Sequence, residues 1–267
     1  MFAKLMKWEF RQTARVMLPL LGAALLLCGG GLASRGVLYV LPLGPQWLET
    51  LSALLYALMT FVLFAGVFVA YFYAVIRFYR MLGNEGYLML TLPVTPAQHI
   101  GAKLITGCVW VAAAMLFSLL LPGTSFSTVI TSSDEQVAAA LSEFWPGMPL
   151  YLSFGLFLLA MLFLSMMWMY FICALGAQWP QQRFGATVVC YLVTSFLVQI
   201  VFVMAVGVFT YIAAYSPLGA SLYNSFMANP TGTLTVWMLC ASAAVAALTA
   251  ALFFIVRWMI SKRLNLA

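Results

Sequence analysis

Several residues of this sequence that could do chemistry lie in one polar stretch, residues 77–103, between two long apolar runs. Only 7% of the chain is charged, and this stretch holds Arg77, Arg80, Glu85, His99 and Lys103. Residues 83–86 (GNEG) predict a turn, because Gly and Asn accept positive φ at little cost. Residues 95–98 (TPAQ) predict a helix start, with a Thr N-cap, Pro at the first position and Gln at N3. We therefore expect a folded polar loop that a protein partner can bind; an ordinary connecting loop is the alternative.

Motifs for other chemistry are missing from the sequence. It has neither a GxxxxGK[ST] phosphate loop nor an HExxH zinc motif. His99 is its one histidine, and we expect it as an exposed polar residue on the capped helix. The five cysteines lie in apolar runs without CxxC spacing, so we interpret them as small buried residues. The chain is therefore not expected to be an enzyme or to bind a metal or another cofactor.

The composition is typical of a membrane protein. Hydrophobic residues make up 65% of the chain and its mean hydropathy is +1.06, whereas a soluble domain is usually about 45–50% apolar. A membrane span needs roughly 20 apolar residues, and the predicted spans are 16–36, 50–76, 104–121, 150–177, 184–214 and 233–260. We therefore predict an all-α polytopic membrane protein with six transmembrane helices in a single transmembrane domain, residues 1–267.

Residues 2–15 predict an amphipathic helix that lies in the membrane interface ahead of the first span and turns its lysines and arginines towards anionic membrane lipids. Its basic residues share one face of a helical wheel: Lys4, Lys7, Arg11 and Arg15. Glu9 falls on the opposite, apolar face, where a carboxylate needs a cation. Arg77, Arg80 and Lys103 are expected on the same side of the membrane, and Arg77 or Arg80 is the favoured partner. An exposed, solvated Glu9 is the alternative.

Two further short helices are predicted between spans. Ser133 and Gln136 form a second capping box, which predicts a short helix over residues 134–144. The segment 215–232 contains two prolines and could hold a short helix that dips back towards the membrane.

The distribution of basic residues predicts the orientation in the membrane. With both termini in the cytoplasm, only Arg35 of the 12 lysines and arginines falls on the outer side. Cytoplasmic segments of membrane proteins carry an excess of Lys and Arg. Because the basic residues are divided among these segments and do not form one patch, a nucleic-acid partner is not expected. We therefore predict a multi-pass protein with both termini cytoplasmic and residues 77–103 as a cytoplasmic loop between spans 2 and 3.

The sequence of this loop resembles that of a known family. The strings GNEGY at 83–87, TLPV at 91–94 and KL at 103–104 resemble the G-D-E-G-Y, T-L-P-V and K-L motifs of small six-span permeases. These permeases are subunits of type-2 ATP-binding-cassette (ABC) exporters, and many come from Gram-positive, clostridia-like bacteria. The strings KWEFR at 7–11 and KRLNL at 262–266 resemble the same family. Asn84 stands where the family motif has Asp.

The resemblance implies a function and its partners. The loop would hold a coupling helix seated in a groove of a separate ATPase subunit, and residues 2–15 would be the amphipathic connecting helix. Two permeases, identical or paralogous, would pair in the bacterial plasma membrane with two ATPases, which bind ATP and Mg. The substrate would be amphipathic (a lipid, peptide or drug-like molecule) and would move outward. The implied coupling residues are Arg80, Gly83, Asn84, Glu85, Gly86, Tyr87, Leu88, Leu92 and Pro93.

A different class of function also fits the sequence. A non-transporting membrane scaffold or sensor that anchors a cytoplasmic partner would need the same six spans and the same polar loop. A neighbouring gene for an ATPase with a Walker motif would favour the exporter. An isolated gene, or one beside a kinase, would favour the scaffold or sensor.

Overall fold

A computed structural model gives the fold, and the structure describes residues 2–40, 46–83, 95–120 and 134–262. These residues form seven α-helices and one short 3₁₀ helix, without strands. The elements are α1 (Phe2–Val40), α2 (Gln46–Met81), α3 (Pro96–Leu120), α4 (Asp134–Gly176), the 3₁₀ helix (Pro180–Gln182), α5 (Arg183–Tyr215), α6 (Pro217–Ala228) and α7 (Pro230–Lys262). The prediction of an all-α fold is confirmed for this part of the chain.

Six of these helices, all except the short α6, are long and apolar enough to cross a membrane by length and composition. Each of the six spans predicted from the sequence falls on one of them. The chain is therefore built as a multi-pass helical membrane protein, as its composition predicts.

Two pairs of elements that the sequence predicted as separate each form one continuous helix. α1 runs without a break from Phe2 to Val40 and contains Pro19, so the predicted boundary between residues 15 and 16 is not a turn. α4 likewise joins the predicted short helix at 134–144 to the span at 150–177. Proline inside a membrane helix is tolerated because neighbouring groups satisfy the freed carbonyls. A proline alone is thus a weak signal of a helix end here.

Helix starts are specified by a capping residue followed by proline. Ser216 precedes Pro217 and its Oγ accepts a hydrogen bond from Gly219 N at 3.2 Å, which starts α6. Asn229 does the same for α7, where its Oδ1 accepts from Gly232 N at 3.0 Å. α3 begins at Pro96, directly after the predicted N-cap. The predicted short helix within 215–232 is therefore present, and the predicted start of α3 is confirmed.

The chain divides into two compact units, each with its own interior. Unit 1 comprises Met1–Arg77 and Ala97–Ser142, and unit 2 comprises Phe78–Pro96 and Glu143–Ala267. In unit 1 a cluster of buried side chains joins α1 and α2, with Phe117 of α3 packed against it: Ala24, Met59 and Leu63. In unit 2 the rings of Phe78 and Tyr170 stack with centroids 4.0 Å apart, and both side chains are fully buried.

Gly176 lies where α4 and α5 approach closely within unit 2. A Cβ atom at Gly176 would lie 2.7 Å from the Cα of Thr187, and backbone cannot move aside as a flexible side chain can. We expect Gly176→Ala to destabilise the protein by about 1–3 kcal/mol through overpacking. Thermal unfolding of the detergent-solubilised protein measures the effect.

Gly185→Ala is the matched control for this prediction. A Cβ at Gly185 meets no atom within 4 Å, and alanine in a helix is more favourable than glycine by about 1 kcal/mol. The control variant should keep or raise the thermal midpoint. Equal midpoints for the two variants would show that α4 and α5 are not in close contact at Gly176.

Candidate functional site

Glu9 lies in the interior of unit 1, with only 2% of its surface exposed. Gln12 and Thr13 follow it on the same face of α1, because residues three and four apart are neighbours on a helix. The hydroxyl of Thr13 donates a hydrogen bond to the carbonyl oxygen of Glu9. α1 thus presents a polar stripe of one acid, one amide and one hydroxyl to the helices that pack on it.

Two cations hold the carboxylate of Glu9, one from each neighbouring helix. Arg77 of α2 places Nη2 at 2.5 Å from Oε2, and Lys103 of α3 places Nζ at 2.9 Å from Oε1. The three side chains are largely shielded from water, with exposed fractions of 2% for Glu9, 12% for Arg77 and 4% for Lys103. We call this group, Glu9 with Arg77 and Lys103, the Glu9 clamp.

The guanidinium of Arg77 spreads its donors over one turn of α1. Nη1 donates to the carbonyl oxygen of Glu9 at 3.4 Å and to Oγ1 of Thr13 at 3.3 Å, and Nη2 donates to Oε1 of Gln12. The ring of Tyr73, one turn earlier on α2, lies 5.9 Å from Cζ of Arg77. A planar fork with several fixed donors suits this role, and the single ammonium of lysine could not replace it.

The Glu9 clamp is too tightly packed to be a substrate site. The cavity beside it measures about 10 Å³, which is the space of a single water. Thr106 lines this cavity, and its buried Oγ1 has no hydrogen-bond partner within the described ranges. The cavity beside the Glu9 clamp therefore has no room for a substrate larger than water.

The clamp also flanks the loop that the sequence singles out. Arg77 lies about one turn before α2 ends at Met81, and Lys103 lies about two turns after α3 begins at Pro96. One carboxylate on α1 thus binds the helix that leads into the loop and the helix that leads out of it. A movement of either helix must displace Glu9 or break a buried ion pair.

The predicted coupling residues are only partly within the described residues. Arg80 is exposed in the last turn of α2, and Gly83 follows in a turn, its N–H donating to the carbonyl oxygen of Arg80 at 3.0 Å. Nη1 of Arg183 donates to the carbonyl oxygen of Leu82 at 3.4 Å, which fixes the end of this helix in unit 2. The remaining residues lie outside the described ranges: Asn84, Glu85, Gly86, Tyr87, Leu88, Leu92 and Pro93.

Of the two arginines favoured as partners of Glu9, one forms an ion pair with it. Arg77 binds it, whereas Arg80, for which the same role was predicted, has an exposed side chain. Residues three apart on a helix point about 60° apart, so one arginine can turn inward while the other faces out. The second partner is Lys103, which was expected on the same side of the membrane but was not the favoured cation.

The prediction that His99 is exposed is wrong, because 1% of its surface is accessible. His99 shares a face of α3 with Lys103 and Thr106, which are buried as well. Sequence reasoning also missed Gln12 and Thr13 as acceptors for Arg77, although their spacing from Glu9 could have indicated them.

The predicted burial of the cysteines holds for part of the set, and the side chain of Cys28 lies outside the described residues. Cys108 and Cys173 are buried, Cys190 is partly buried and Cys240 is exposed. In the part of the chain that the structure covers, no group of three His, Cys, Asp or Glu residues could hold a metal ion. Comparison of the chain with protein-family models, with curated proteins and with solved structures found no match, so its function has to be inferred from its own residues.

Proposed function

We propose that this chain is the membrane-spanning permease subunit of an ABC exporter, driven by a separate ATPase subunit. The observation that carries the proposal is the Glu9 clamp on both sides of the loop at residues 84–94, whose sequence resembles an ATPase-coupling loop. Six helices of sufficient length and apolar composition support a transport path. The sequence has no GxxxxGK[ST] motif of its own, so ATP and Mg would bind the partner.

The Glu9 clamp suggests how movement of the loop would reach the membrane. In this proposal the ATPases close on ATP and displace the loop together with the ends of α2 and α3. Arg77 and Lys103 then carry the displacement to Glu9, because breaking a buried ion pair is costly. α1 is one continuous helix from Phe2 to Val40, so a push at Glu9 is transmitted along its length.

A dimer of permeases is part of the proposal, and α5 supports it. None of the described residues of α5 is buried, and Gln199 is exposed near the middle of this apolar helix. Polar side chains in membrane helices promote association by bonding across the interface. An amide both donates and accepts, so Gln199 of one copy can pair with the same residue of a second copy.

An apolar groove in unit 2 supports an amphipathic substrate. Its volume is about 540 Å³, within the range of about 300–1,000 Å³ that small-molecule sites occupy. α4 and α7 line it with apolar side chains, and the hydroxyls of Ser242 and Thr249 donate to carbonyl oxygens of their own helix. The groove thus offers mainly an apolar surface, which suits the apolar portion of a lipid, peptide or drug.

The proposal is tested by isolating the chain with its partners. A tagged copy is purified in mild detergent from its host, and the copurifying proteins are identified by mass spectrometry. We expect an ATPase subunit with a Walker motif at a one-to-one ratio, and a native mass that contains two copies of each subunit. An unrelated multi-pass protein of the same host, tagged in the same way, is the control. Recovery of the chain without an ATPase, or with a kinase in its place, would favour the scaffold or sensor.

A further inference from the structure

The exposed side of α1 carries a second polar feature, distinct from the Glu9 clamp. A groove of about 140 Å³ is lined by Trp8, Arg11, Gln12 and Arg15. Their spacing of three, one and three residues places all four side chains on one side of the helix. All four are exposed to solvent. We call this feature the Arg11–Arg15 groove.

Most polar groups of this groove are hydrogen-bond donors. The guanidinium groups of Arg11 and Arg15 and the indole of Trp8 have no acceptor. Gln12 adds two N–H donors, while its Oε1 accepts a hydrogen bond from Nη2 of Arg77. Glu9 is the one acid of α1, and it is buried in the Glu9 clamp.

A groove with two guanidinium groups, further N–H donors and no carboxylate fits a phosphate group. Planar guanidinium groups bind phosphate oxygens in a bidentate manner, and the added N–H groups complete such a site. The half-exposed Trp8 is typical of a side chain at the level of lipid headgroups. The groove lies near the start of a candidate span, Phe2–Leu27. We propose that the Arg11–Arg15 groove binds the phosphate of an anionic phospholipid.

This binding goes beyond the proposed transport function and does not depend on it. It also differs from general attraction of a basic surface to an anionic membrane. Lys4 and Lys7 are exposed on the same helix but do not line the groove. General attraction would use all four cations alike, whereas a built phosphate site uses Arg11 and Arg15.

The test counts lipids bound to the full-length protein by native mass spectrometry, after extraction from nanodiscs of phosphatidylglycerol and phosphatidylcholine. Wild type should retain phosphatidylglycerol in preference to phosphatidylcholine. The double variant Arg11→Gln/Arg15→Gln should retain about tenfold less phosphatidylglycerol, because both bidentate groups are lost. The matched control Lys4→Gln/Lys7→Gln removes the same charge and should change retention by less than about twofold.

Several results would overturn the proposal. Equal losses in the two double variants would show surface attraction alone, and equal retention of the two lipids by wild type would show no anion site. Displacement of the lipid by millimolar inorganic phosphate would assign the groove to free phosphate. Because all four substituted residues are exposed, the variants should fold. The variant Arg11→Lys/Arg15→Lys keeps the positive charge but removes both guanidinium groups, and we expect it to lose most of the lipid retention. Retention at the wild-type level would show that charge alone holds the lipid.

Discussion

Replacing Glu9 by glutamine is expected to destabilise unit 1 by about 3–5 kcal/mol, because it removes the carboxylate that two largely buried cations share. Lys103 is 4% exposed and Arg77 is 12% exposed, so water has little access to either of them. Glutamine keeps the size of the side chain, and the loss is therefore one of charge and not of packing. Thermal unfolding in detergent, together with the folded fraction on size exclusion, measures the effect.

Two further variants show whether the clamp is the cause. Arg80→Gln removes an exposed charge from the same helix as Arg77 and should change stability by less than about 0.5 kcal/mol. Glu9→Gln/Lys103→Met removes the carboxylate and its more buried cation together, so it should regain part of the stability that Glu9→Gln loses. If Glu9→Gln were as mild as Arg80→Gln, the ion pairs would not contribute to stability.

Parts of the fold that local chemistry controls could be predicted from the sequence. The six spans follow from apolar runs, whose length is set by the thickness of the bilayer. The starts of α3 and α6 follow from a hydroxyl residue before a proline, since that pair caps the first turn and fixes its φ. These features depend on a few adjacent residues and not on distant parts of the chain.

Features that depend on how helices are rotated against one another could not be predicted. Glu9 needed a cation, but its choice of Arg77 and Lys103 depends on which sides of α2 and α3 face α1. His99 is buried for the same reason. The continuity of α4 was also missed, because proline ends a helix in water more often than in a membrane. The continuity of α1 was missed because its charged first part and its apolar second part predicted two separate elements.

Replacing Tyr87, Leu88 and Leu92, three of the apolar side chains of the loop, by serine is expected to abolish binding of the proposed ATPase partner. In an interface a few buried anchors carry most of the binding energy, and each costs roughly 1–3 kcal/mol when it is removed. Three such losses weaken binding by more than about 100-fold, enough to prevent copurification. Glu85 could add a charge pair at the rim, but an exposed pair contributes at most about 1 kcal/mol. ATPase copurification and substrate-stimulated ATP hydrolysis are the measurements.

The control for this variant is Trp179→Ser/Phe184→Ser. These two side chains are also apolar and are 54% and 75% exposed. Trp179 lies between spans 4 and 5 and Phe184 at the start of span 5, on the side of the membrane predicted for the loop. If any exposed apolar group on this side could bind the ATPase or insert into the headgroup layer, the control variant would lose the ATPase just as the loop variant does. We expect it to retain the ATPase at wild-type stoichiometry, because its residues are outside the coupling sequence. A loop variant that keeps the ATPase, and whose ATP hydrolysis still responds to substrate, would show that residues 80–99 do not couple the two subunits.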